Sequence, residues 1–165
     1  KRADGAGPSD PYFGAEEIAP APNANRQEHR SQMANFEKPT TEAGIIAHAV
    51  CGAYLMVAFS DGKYAQSEKV RMVRGLLAKD IPAGVAKADL EAALPAIERA
   101  FVSDYESAAK RVLELVAALS GNGIAKRAVI HAAQTAVVAD HSIMAQETGA
   151  LDRLSEALGL KKGAI

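Results

Sequence analysis

Asp61-Gly62-Lys63-Tyr64-Ala65-Gln66-Ser67-Glu68 sets an acid, then a bulky apolar side chain, then a glutamate, between two apolar runs. The same spelling returns 79 residues later as Asp140-His141-Ser142-Ile143-Met144-Ala145-Gln146-Glu147. At that shift Asp61 falls on Asp140, Tyr64 on Ile143, Glu68 on Glu147 and Arg74 on Arg153. Upstream, Val50 falls on Val129 and Ala53 on Ala132, both in alanine-rich apolar segments. A supersecondary unit that recurs needs its neighbour to bury its apolar face. The pattern therefore predicts two copies of helix, acidic loop, helix, related by a pseudo-twofold axis.

Each loop has a structural logic of its own. Asp61-Gly62 is a turn signal, because glycine takes positive φ cheaply and aspartate hydrogen-bonds nearby backbone amides. Tyr64 and Ile143 precede a helix start and can plug back into the core. Glu68 and Glu147 then fall in a first helical turn, facing unpaired N–H groups and the positive end of the helix dipole. Capping alone accounts for each acid taken singly.

Working outward, the rest of the chain reads as helix. The composition is alanine-rich, 5% aromatic and without tryptophan, which favours helix packed on helix. The run from Ala43 to Phe59 is nearly continuous apolar and predicts a central helix beginning near Thr41. Val70, Val73, Leu76 and Leu77 give an amphipathic helix with Lys69, Arg71 and Arg74 outward. Ile81-Pro82-Ala83-Gly84 breaks it. Asp89 caps a short helix through Leu90 and Leu94, which Pro95 interrupts or restarts before Ile97 and Phe101. Ser103-Asp104-Tyr105-Glu106 spells a capping box. The helix it opens places Ala108, Val112, Leu115, Val116 and Leu119 on one face and stops at Ser120-Gly121-Asn122-Gly123. Ile124 to Ala139 predicts a second central helix. Gln146 to Leu158 predicts a last one that buries Leu151, Leu154 and Leu158 and ends at Gly159.

The expectation is one all-α domain over residues 40–165, with about six or seven helices. Residues 1–39 differ: they hold five of the seven prolines and no sustained period, so they read as a flexible tail. Met33 lies where that tail ends and marks a candidate natural start.

Ala58-Phe59-Ser60-Asp61-Gly62-Lys63-Tyr64, followed by Glu68, resembles the acidic loop of tellurite-resistance TerB-like domains. Val138-Ala139-Asp140, Ile143, Glu147 and then Leu151 to Leu160 resemble the second loop and closing helix of that family. Ala65 and Met144 stand where members often carry a capping serine, and His141 replaces a glycine. The resemblance covers residues 40 to 160. It implies a compact helical module tied to tellurite and stress resistance, with no enzymatic reaction, and a divalent metal held by the loop acids.

The chemistry of the acids allows that implication. Asp61, Glu68, Asp140 and Glu147 would form a shared site if the repeat brings the loops together. Such hard oxygen ligands suit Ca²⁺, Mg²⁺ or Mn²⁺ rather than zinc. Neither loop alone has the acidic spacing of an EF-hand. The competing reading is a plain protein–protein interaction domain, whose acids are caps and a docking surface.

His48 and His131 lie in different apolar helices and read as core histidines rather than ligands. Cys51, the single cysteine, sits in an apolar run and reads as a buried structural thiol in a reducing compartment. No nucleophile elbow or glycine-rich phosphate loop is spelled. A net charge of −1 advertises no nucleic-acid partner. The run from Ala43 to Phe59 is 17 residues long, contains His48, and is marginal for a membrane span. Acids precede it where a signal peptide would want positive charge. The expected setting is cytoplasmic, with a protein partner. Homo-oligomerisation and peripheral membrane association both stay open.

Overall fold

Thr41 starts the first helix, α1 (Glu42–Ala58), by accepting the Gly44 N–H on its Oγ1 at 3.1 Å. That hydrogen bond satisfies one of the N–H groups a helix start leaves without an internal partner. The computed structural model describes residues 36–62, 85–140 and 145–165, apart from the side chains of 139 and 140. Four more helices follow in chain order: α2 (Lys87–Ser103), α3 (Tyr105–Ala118), α4 (Gly123–Asp140) and α5 (Ala145–Ala157). The described residues are all-helical and contain no strand. The expected helix through Val70 and Leu77 lies outside them, as does the start of the tail.

From Ile46 to Val57 every residue of α1 except His48 is buried. A helix apolar all round must be surrounded, and α1 packs against each of the other four. Gly52 permits a close approach of α3. A Cβ built there would lie 2.5 Å from Cγ2 of Val112, so α3 crosses α1 where α1 has no side chain. Phe36, within the stretch read as tail, is only 5% exposed, and its ring lies 5.6 Å from that of His48.

Helix α2 runs unbroken through Pro95, contrary to the expected interruption there. Proline in a helix interior costs roughly 3 kcal/mol. Here it sits on the exposed side, while Leu90, Ala93, Ile97, Ala100 and Phe101 are buried along the other. Asp89 serves the helix start from inside, its Oδ2 accepting the Ala86 N–H at 3.1 Å.

The expected capping box does not form, and the cap moves by one residue. Ser103 ends α2, and Asp104 caps α3, its Oδ1 accepting the Ser107 N–H at 3.1 Å. Glu106, freed from capping, pairs with Arg153 instead. The buried face of α3 is the expected one: Ala108, Val112, Leu115 and Val116.

Helix α4 is one-sided rather than central. Ala125, Ala128, Val129, Ala132, Ala133 and Ala136 are buried, whereas Val138 is 74% exposed. His131 is exposed too, so the core role expected for it is wrong. His48 fits its expected role better, half-buried with Nδ1 2.8 Å from the Gly44 carbonyl oxygen.

Helix α5 ends in a left-handed residue, Gly159, with φ 69°. Leu160 N–H donates to the Ser155 carbonyl at 2.8 Å and Gly159 N–H to the Glu156 carbonyl at 2.9 Å. These two bonds form a Schellman motif and satisfy carbonyls that the helix end leaves open.

Candidate functional site

Asn122 shows how the two acid-bearing helices lie. Its Oδ1 accepts the N–H groups of Ile124 and Ala125 at 3.1 and 3.0 Å, capping α4. Its Nδ2 donates to Oε1 of Glu42, in the first turn of α1, at 3.4 Å. The starts of α1 and α4 are therefore neighbours. The two helices are 17 and 18 residues long and pack extensively on each other, so they run in the same direction. Their far ends, carrying Asp61 and Asp140, fall at one end of the bundle.

Other termini gather there as well. Tyr105, the first residue of α3, donates its hydroxyl to the Met56 carbonyl in the last turn of α1 at 2.9 Å. That carbonyl has no helical partner, because the Ser60 N–H turns to the Val57 carbonyl instead. The rings of Phe59, Phe101 and Tyr105 form a ladder, with successive centroids 5.7 and 5.5 Å apart. Helix α5 begins five residues after α4 ends, which an extended chain spans in at most ~18 Å.

The four predicted acids fare differently. Asp61 is half-buried in the turn that follows α1, and Gly62 beside it takes the expected positive φ of 74°. Asp140 is the last residue of α4 rather than a loop residue, and its side chain lies outside the described residues. Glu68 lies outside them altogether. Glu147 sits in the first turn of α5, as its spacing predicts, and is only 4% exposed. Among the described residues no group of three or more His, Cys, Asp and Glu could hold a metal ion. Asp61 and Glu147 are the two members of the predicted ligand set whose side chains are described, and their oxygens suit a hard divalent cation.

Beside this end, Arg153 of α5 grips Glu106 of α3 through both terminal nitrogens, at 3.2 and 3.1 Å. Tyr105 stands next to the pair. Burial pushes its phenol up to about 12, with Arg153 pulling it down and Glu106 pushing it up. The Glu106–Arg153 clamp was not legible in the sequence, where Glu106 read as half of a capping box. Cys51 is buried, with Sγ 3.7 Å from the Leu90 carbonyl oxygen. Burial pushes its thiol up to about 12, so it stays protonated and poorly nucleophilic at neutral pH.

No helix among the described residues is long and apolar enough to cross a membrane. Comparison with family models, curated proteins and solved structures finds no match for this chain.

Proposed function

We propose that the chain is a non-catalytic helical binding module of the TerB-like kind, acting in tellurite or stress resistance. Asp61, Glu68, Asp140 and Glu147 would together hold a divalent cation, Ca²⁺, Mg²⁺ or Mn²⁺. One observation carries this proposal. Support comes from the shared direction of α1 and α4, marked by the Asn122–Glu42 contact, which is consistent with Asp61 and Asp140 lying at the end of the bundle from which α5 and Glu147 depart. It supports the internal repeat as well, since α1 and α4 are counterparts at the 79-residue shift. The cation would neutralise carboxylates that otherwise repel one another.

The second reading, a metal-free interaction domain, has its own support in Glu147. The third residue of a helix is a capping position, and a carboxylate there meets unpaired N–H groups. Calorimetric titration of chelator-treated protein with each cation separates the two. The metal reading expects saturable binding of at least one cation that Glu147→Gln abolishes. Absence of binding by all three would leave the acids as caps.

A further inference from the structure

The outer face of α3 carries a stripe that the fold leaves uncovered. Ser107, Lys110, Glu114 and Ala117 follow at steps of three, four and three residues, so they form one ridge along the helix. The ridge lies away from the buried Ala108, Val112 and Val116. Lys110, Glu114 and Ala117 are exposed and Ser107 is half-buried. Alongside runs an open groove of about 650 Å³ between α3 and α5, floored by Leu113 and Ala157. The Glu106–Arg153 clamp fixes its walls and cancels its own charge. Lys110 makes no ion pair among the described residues, whereas Glu114 accepts from Arg111 Nη1 at 3.3 Å on an exposed flank and keeps its second carboxylate oxygen for a further partner.

We infer that this face docks a second copy of the chain, α3 against α3, antiparallel about a twofold axis near Val112. Reversal about that point sets Lys110 opposite Glu114 of the second copy, and Ser107 opposite Ala117 of the second copy. A twofold contact makes each pair twice. Opposite charges meet at the centre, and small side chains meet at the ends, where they let the helix axes approach to ~8–10 Å. Moving the axis by half a heptad either way keeps the ridge spacing but forgoes the Lys110–Glu114 pairs. Centring the axis on residue 110 or 114 sets Lys110 on Lys110 or Glu114 on Glu114, and a parallel pairing does both. The paired charges are exposed and the apolar floor is small, so the dimer is weak and sensitive to salt.

Sedimentation equilibrium of the full chain from ~10 µM to ~1 mM covers the affinity range of such a contact. The expected result is a monomer–dimer equilibrium that high salt weakens. Lys110→Glu should weaken it by ~10-fold or more, because like charges then face each other twice. The double exchange Lys110→Glu with Glu114→Lys should restore it in part, since it also breaks the Arg111–Glu114 pair inside each copy. Ala117→Arg, on the same ridge, should abolish it while circular dichroism stays unchanged. A chain monomeric throughout overturns the proposal. So does a dimer indifferent to Lys110→Glu and Ala117→Arg, or a charge exchange that fails to restore association.

Discussion

Gly52→Ala tests the packing that organises the whole bundle. The added methyl would lie 2.5 and 2.8 Å from the two methyls of Val112 and 3.2 Å from its Cβ. Carbon atoms in good contact sit ~3.5–4.0 Å apart, so about 1 Å of relief is needed. Val112 cannot supply it by rotating, because valine in a helix has one strongly preferred rotamer and this side chain is fully buried. The α1–α3 crossing must open instead. Overpacking of this kind costs about 1–3 kcal/mol, and the helix preference of alanine over glycine returns about 1 kcal/mol.

The clash is severe, so a net loss of about 1–2 kcal/mol is expected, read as a lower urea midpoint with unchanged m value. Val112→Ala alone also destabilises, losing about 1.6 kcal/mol of methyl burial plus the cavity left behind. Combined, the two substitutions should compensate, since the new methyl fills the space the old ones leave, with a coupling of about 1–2 kcal/mol. A Gly52→Ala protein more stable than the parent, or strict additivity in the double variant, would refute the close crossing.

Three further outcomes follow from single contacts. Tyr105→Phe strands the Met56 carbonyl and should cost about 1 kcal/mol at neutral pH. The phenol is pushed up to about 12 in the fold, so folding favours its protonated form. That contribution is present below the ordinary tyrosine value of 10.0 and is lost as pH rises toward 12. The Phe variant should accordingly lose less stability than the parent across that window in alkaline urea titrations. Phe36→Ala should cost ~3–5 kcal/mol, as for a buried core aromatic, and a loss below ~0.5 kcal/mol would place Phe36 outside the core. Asp104→Ala should cost about 1 kcal/mol and Ser103→Ala much less, and the reverse order in thermal melting would restore the capping box to Ser103.

Helix positions were legible wherever the apolar spacing was regular. The face of α3 and the glycine stop of α5 follow from local pattern alone, because periodicity and a left-handed residue are local properties. Pro95 misleads because its cost is local whereas the compensating burial of Ile97 and Phe101 is tertiary. Ser103 and Asp104 are both good caps, and the choice between them depends on how far α2 continues. Gly52 looks like one more small residue in an apolar run, and only Val112, far along the chain, explains it.

The candidate site divides along the same line. Residue type and spacing pick out Asp61, Glu68, Asp140 and Glu147, and they put Glu147 in a first helical turn. Which end of the bundle each acid occupies depends on the relative direction of α1 and α4. The contact that reveals it joins Glu42 to Asn122, neither of which belongs to the repeated motif. Burial of Glu147 was not legible either, since the loop spelling says nothing of what packs over it.

Mn²⁺ broadening of backbone amide signals, recorded on the chelator-treated chain, locates a shared acidic site without mutation, because a paramagnetic ion marks its own position. Substoichiometric Mn²⁺ should broaden Asp61, Gly62, Asp140 and Glu147 together. Glu42 and Asn122, at the opposite end of α1 and α4, should stay sharp, and Glu147→Gln should erase the effect. Broadening spread over exposed acids such as Glu91 and Glu114, or none at the two loops, would contradict a shared site.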